Sequence, residues 1–194
     1  AQWLRVLGWS RVLVADVDPR KRAVMADLGF ETIDPGDPAA GGTVAQVLAA
    51  TGRGVDAAVE ASGLPSTLLQ TLEATAPRGQ VLILGDLKGD VTIGRALISS
   101  LIRRELIVYG TWNSTIGPAG HSEWDMVVDA IATGRIALDP LISHAAPLET
   151  APELFADLLA RRQWSNKVLF AISPEARSEA AALAAGGPAL AGAR

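Results

Sequence analysis

The 194-residue chain contains no cysteine, two histidines and a single tyrosine. Without thiols it can hold neither a disulfide framework nor a thiolate-ligated zinc. The two imidazoles, His121 and His144, are too few for a metal centre built from protein ligands alone, so no metal ligand is expected in this chain. No apolar run approaches the roughly 20 residues that cross a bilayer, and no basic-then-apolar segment with a small-residue cleavage site opens the sequence. A soluble, cytoplasmic protein is expected. The net charge of −4 lacks the excess of cations that nucleic acid or an anionic membrane surface requires, so the expected partners are small molecules. At 49% hydrophobic and 20% charged, the chain suffices for one well-buried core. It opens at Ala1, inside what reads as a helix, so the true start is expected upstream.

What is present is an alternation. Trp3, Leu4, Val6 and Leu7 suit the buried stripe of a short helix closed by Gly8. Residues 11–16 form an apolar, β-branched run ending in a carboxylate, as a strand buried on both faces does. Asp18 then offers an N-cap and Pro19 a first helical residue, in a helix that Leu28-Gly29 ends. Strands follow at 31–33, 55–60, 79–85 and 105–110, with helices over 43–50, 65–74 and 95–102 between them. Such spacing predicts parallel pairing through right-handed crossovers, hence a doubly wound α/β sheet. Beyond the loop at 113–120 the rhythm changes to a helix over 122–133, a strand near 141–144, a helix over 149–161 and a strand at 167–172. From Ser173 onward Ala and Gly dominate, and a disordered tail is expected. Of the five tryptophans, only Trp112 carries a site argument; the others read as core or interface.

The chemistry concentrates at strand ends. In dinucleotide-binding βαβ units an acidic residue about 20 positions after a glycine fingerprint accepts hydrogen bonds from the adenosine ribose. Asp16 occupies such a strand end, and the glycine turn would fall just before Ala1. Position alone leaves Asp16 open between ribose acceptor and solvated strand end.

Longer stretches carry a resemblance. The segment Val12 to Arg22, with Ala26-Asp27-Leu28-Gly29, resembles the second strand and helix of the medium-chain zinc-dependent alcohol and polyol dehydrogenases. Gly54 to Gly63 is similar to their fourth strand, with its Asp, then Glu, then Gly, and Gly79 to Gly85 resembles their fifth. Pro140 to His144, Pro147-Leu148-Glu149 and Asn166 to Phe170 resemble the family's C-terminal segment. Gly110 to Ser114 followed by Glu123-Trp124 points toward its sorbitol and galactitol-1-phosphate members.

The resemblance implies a Rossmann-type sheet lacking its first strand, with a C-terminal α/β appendage. It implies an NAD(P)-binding portion over 1–113, a segment over 114–173 that would pack on a GroES-like catalytic domain, and the tail 174–194. It further implies that Asp16 holds the ribose, with Lys21 beside the adenosine. Ala61, Ser62, Leu84, Gly85 and Asp86 would line the ribose and nicotinamide crevice. Thr111, Trp112 and Asn113 would approach the carboxamide, and Lys167 the pyrophosphate. No residue of this chain is assigned to catalysis. NAD is favoured over NADP because Asp16 would repel a 2′-phosphate, although Arg20, Lys21 and Arg22 stand close in sequence. The implied parent transfers hydride between a secondary alcohol or polyol and NAD, as a homodimer or homotetramer, with zinc bound outside this chain. The alternatives are a zinc-free, quinone-reductase-like enzyme favouring NADPH and a non-catalytic nucleotide-binding or oligomerisation fragment.

Overall fold

In the computed structural model, which describes residues 1–112, 114 and 122–178, strands and helices alternate as the periodicity predicts. The chain divides into two compact units, one of Ala1 and residues 10–126, the other of residues 2–9 and 127–194. The opening helix α1 (Gln2–Val6) falls in the second unit; in the first, β1 (Leu13–Ala15) leads into α2 (Pro19–Asp27). The Asp18 carboxylate accepts a hydrogen bond from the Arg20 amide at 2.9 Å, and Pro19 occupies the first turn without losing a bond. β2 (Glu31–Ile33), α3 (Gly42–Thr51), β3 (Val55–Glu60), α4 (Pro65–Ala74), β4 (Thr75–Ile83), α5 (Arg95–Arg104) and β5 (Ile107–Gly110) complete the alternation.

Every ladder is parallel. Among the described residues β1 pairs only with β2, whereas β3, β4 and β5 form a separate sheet with β4 in the middle. Between β1 and β3 there is no ladder, yet Leu13 and Val55 pack on the same buried cluster of Ile33, Val47 and Ala74. Two half-sheets thus share one core across a missing strand position, as expected for the order 3-2-1-4-5-6 without its first strand. A second cluster, Leu68, Leu72 and Val81, joins α4 to β4 and receives Leu97 and Leu101 of α5.

β4 begins earlier than expected. Thr75 follows α4 directly and pairs with Val55, and regular register resumes only at Gln80 opposite Ala57, so residues 76–79 form an irregularity in the ladder. The helix end above it is closed from a distance. The Arg104 guanidinium donates to the carbonyls of Leu72 (2.9 Å), Glu73 (3.2 Å) and Thr75 (2.6 Å), satisfying acceptors that a helix C-terminus leaves open.

The second unit carries α6 (Glu123–Ala132) in part, with β6 (Ile142–Pro147), α7 (Ala151–Leu159) and β7 (Lys167–Ala171). β6 and β7 pair in parallel, and Phe155 meets Phe170 with ring centroids 5.6 Å apart. α1 belongs here: the Gln2 side chain donates to the Ala137 carbonyl at 2.7 Å and accepts from its amide at 2.8 Å. Part of the segment expected to be disordered from Ser173 onward is ordered. Residues 174–178 are helical because Ser173 caps the turn through the Ala176 amide and Pro174 opens it; the remainder of that tail lies outside the described residues.

None of the five tryptophans is buried, so of the expected core or interface positions the core is excluded: Trp3 and Trp164 are half-buried, and Trp9, Trp112 and Trp124 exposed. Small aliphatic residues fill both clusters instead, and Trp124 turns its indole N–H to Ser114 Oγ at 2.7 Å. Among the described residues no helix is long and apolar enough to cross a membrane.

Candidate functional site

Parallel strands bring their carboxyl ends to one edge, and this is where ligands of open α/β sheets bind. Ala15 faces Ile33 in register, so Asp16 and Asp34, each one residue past its strand, stand side by side. Asp16 is half-buried. Its Oδ1 accepts from the Asp18 amide at 2.8 Å, and its Oδ2 accepts no hydrogen bond among the described residues. Arg22 reaches back from α2 between the two acids, donating to the Asp16 carbonyl at 2.7 Å and to Asp34 Oδ2 at 2.6 Å. Lys21, on the same turn, is half-buried and makes no ion pair among the described residues.

At the ends of β3 and β4 a buried carboxylate organises the backbone. Glu60, 2% exposed, accepts from Ser62 Oγ (2.7 Å), Thr67 Oγ1 (2.7 Å), the Ser62 amide (2.9 Å) and the Gly63 amide (3.1 Å). Burial alone would raise its pKa, but these donors outweigh it and hold the carboxyl below its ordinary value. The Glu60 carbonyl in turn accepts from the Leu84 and Gly85 amides at 2.9 and 3.0 Å, fastening the β4 loop to the β3 loop.

That fastening requires glycine twice. A Cβ on Gly63, which has φ +71°, would sit 2.1 Å from the Asp86 carbonyl oxygen, and one on Gly85 2.4 Å from the Gly63 nitrogen. Ala61 and Ser62 are left exposed on the crevice rim. Beside them Leu84, Gly85 and Asp86 line a shallow cleft of about 260 Å³ with Thr111 and Trp112. Thr111 is fixed there by its amide bond to the Ile83 carbonyl (3.1 Å), whereas Trp112 is 74% exposed.

The structure therefore brings Leu84, Gly85, Asp86, Thr111 and Trp112 together, sets Ala61 and Ser62 on the adjoining loop, and places Asp16 with Lys21 at the end of the other half-sheet. Asn113 and His121 lie outside the described residues. Lys167 opens β7 in the second unit, its carbonyl accepting from Ser143 Oγ at 3.0 Å. In that unit His144 is held between Ser143 Oγ and Gln163 Oε1, at 2.9 and 3.2 Å.

Residues 1–133 match the family model described as zinc-binding dehydrogenase. The chain belongs to this family. Galactitol 1-phosphate 5-dehydrogenase of Escherichia coli (strain K12) is 29% identical over 111 residues, covering 57% of this chain and 32% of the relative. The crystal structure of galactitol-1-phosphate dehydrogenase from Escherichia coli superposes with TM-score 0.76 at 25% identity, over 87% of this chain and 48% of that one. L-threonine 3-dehydrogenase of Pyrococcus horikoshii is 31% identical over 138 residues, 71% of this chain and 37% of the relative. A zinc-binding dehydrogenase from Sinorhizobium meliloti, described as bound to NADP, matches with TM-score 0.64 and 27% identity over 87% of this chain and 46% of that one. The chain spans about a third of the length of the curated relatives it matches.

The strand-end residues have the chemistry to hold part of a dinucleotide. A half-buried carboxylate with one open oxygen and no cation bound to it suits the vicinal hydroxyls of a ribose. Zinc is different: the sequence has no cysteine, and among the described residues no three His, Asp or Glu side chains converge on one point. No step through zinc follows from these residues. Sequence reading overlooked the Arg22–Asp34 pair and the binding role of Glu60 within the two loops. A carboxylate closing the apolar run Val55 to Glu60, just before Ser62-Gly63, is the signal that could have revealed the second.

Proposed function

We propose that this chain is the cofactor-binding part of an NAD-dependent dehydrogenase acting on a secondary alcohol or polyol. The family match over residues 1–133 carries the reading, and the strand-end residues agree with it in chemistry. In this reading Asp16 Oδ2 accepts from the ribose hydroxyls and Lys21 lies beside the adenosine. Ala61 and Ser62 approach the second ribose. Leu84, Gly85 and Asp86, with Thr111 and Trp112, form the wall against which the nicotinamide ring is oriented. Asn113 and Lys167 are further proposed contacts, to the carboxamide and the pyrophosphate. The bound nicotinamide accepts or gives hydride, and this chain positions it and shields one face from water. Named relatives act on a sugar-alcohol phosphate and on threonine, both bearing the secondary hydroxyl that such a reaction oxidises.

Titrating the 194-residue chain with 5′-AMP by NMR tests the ribose placement. The amides of Asp16, Asp18 and Lys21 are expected to shift together, with millimolar affinity, and Asp16→Ala to weaken binding about tenfold or more, the scale of one or two charge-assisted bonds. Unchanged affinity in Asp16→Ala would return Asp16 to a solvated strand end.

A further inference from the structure

Three cations stand in the first turn and a half of α2, and two of them are already engaged. Arg20 pairs with Asp18 at 3.5 Å. Arg22 is the more constrained: its side chain is only 16% exposed, and its guanidinium spans from the Asp16 carbonyl to Asp34 Oδ2. Asp34 is held as firmly, because its Oδ1 accepts from the Gly36 amide at 2.9 Å. The Asp34 backbone is tied too, its carbonyl accepting from the Gln46 side chain at 2.6 Å.

Arg22 thus pairs with Asp34, beside the proposed ribose acceptor, while the Asp16 carboxylate itself accepts only the Asp18 amide among the described residues. A ribose bearing free hydroxyls meets an acceptor. A ribose bearing a 2′-phosphate meets repulsion from that carboxylate, with Lys21 as its one nearby cation outside an ion pair among the described residues.

We infer that Asp34 is a specificity-determining residue: by holding Arg22 in an ion pair beside Asp16, it withholds that guanidinium from a 2′-phosphate and biases the site toward the unphosphorylated ribose. This rests on the ribose placement at Asp16 proposed above. Asp34 touches no ligand and acts through Arg22.

The test uses the full 194-residue chain at low ionic strength, with 5′-AMP and adenosine 2′-monophosphate as probes and NMR shifts as readout. Asp34→Asn keeps an acceptor for the Gly36 amide and removes the charge. The affinity for 2′-AMP relative to 5′-AMP is expected to rise about three- to tenfold, the scale of one freed guanidinium–phosphate contact near the surface. Asp34→Ser, as a second variant, carries the same expectation. Adding Arg22→Gln to Asp34→Asn should return the ratio to its starting value, which a general loosening of the loop would not do. A parallel Asp16→Asn variant separates the two readings. If Asp16→Asn alters the ratio and neither Asp34 variant does, the inference is overturned and the ribose placement stands. If none of the three alters it, the placement fails and the inference with it.

Discussion

Glu60 shows how much one side chain can decide. Its carboxylate lies in an almost fully buried position and is tolerated because hydroxyls and amides from the next seven residues point at it. Its folded pKa is below the ordinary value of 4.5, so the ionised form is the one the fold stabilises. The stability it contributes is therefore present above about pH 4.5 and is lost as pH falls through the folded pKa. Thermal melts between pH 7 and pH 3 should show this acid loss. Glu60→Gln should lower stability at pH 7 by about 2 to 4 kcal/mol, since one amide N–H would face donors, and should flatten the acid limb of the profile. A variant that melts with the same pH dependence as the parent would show that another acid governs it. The place of Asp16 at the end of a strand was legible from sequence because a strand-end carboxylate is a local pattern. The Arg22–Asp34 pair was not, since it spans twelve residues and depends on β1 and β2 lying in register.

At the scale of elements, the missing ladder between β1 and β3 divides the molecule's cohesion. β4 is paired on both sides and contains Val81, with no exposed surface, whereas β1 has three residues and one partner. Hydrogen exchange should therefore be about ten to a hundred times faster at Leu13 to Ala15 than at Val81 and Leu82. Equal protection across both sheets would mean that the shared cluster of Ile33, Val47 and Ala74 couples them into one cooperative unit. Most elements were readable beforehand: β3 and α4 coincide with the expected residues because Gly54, Ser62-Gly63 and Pro65 punctuate them. The start of β4 was not. No local signal says that a helix will pass straight into a strand at Thr75; that junction depends on Arg104, 29 residues away, closing the helix end. Which of core or interface the tryptophans take was equally unreadable, since an indole in an amphipathic pattern looks the same in either place.

For the whole molecule, the residues present bear on what the chain can do by itself. The sequence holds no Gly-x-Gly-x-x-Gly, the loop whose amides would cradle a pyrophosphate at a helix N-terminus. Calorimetry should accordingly find NAD binding no tighter than the millimolar range, and a polyol oxidation assay followed at the reduced-nicotinamide absorbance should show no turnover. Micromolar affinity with turnover would demand a different active centre from the one proposed. The two devices that fasten the first unit also differ in how soon an unfolded chain can assemble them. Among the described residues the donors to the Glu60 carboxylate come from within seven residues, so its loop closes at little entropic cost, whereas Arg104 must find carbonyls about thirty residues earlier. The Glu60 turn is thus suited to act as a folding nucleus whose loss slows refolding, and the Arg104 clasp to form late, so that its loss appears as faster unfolding.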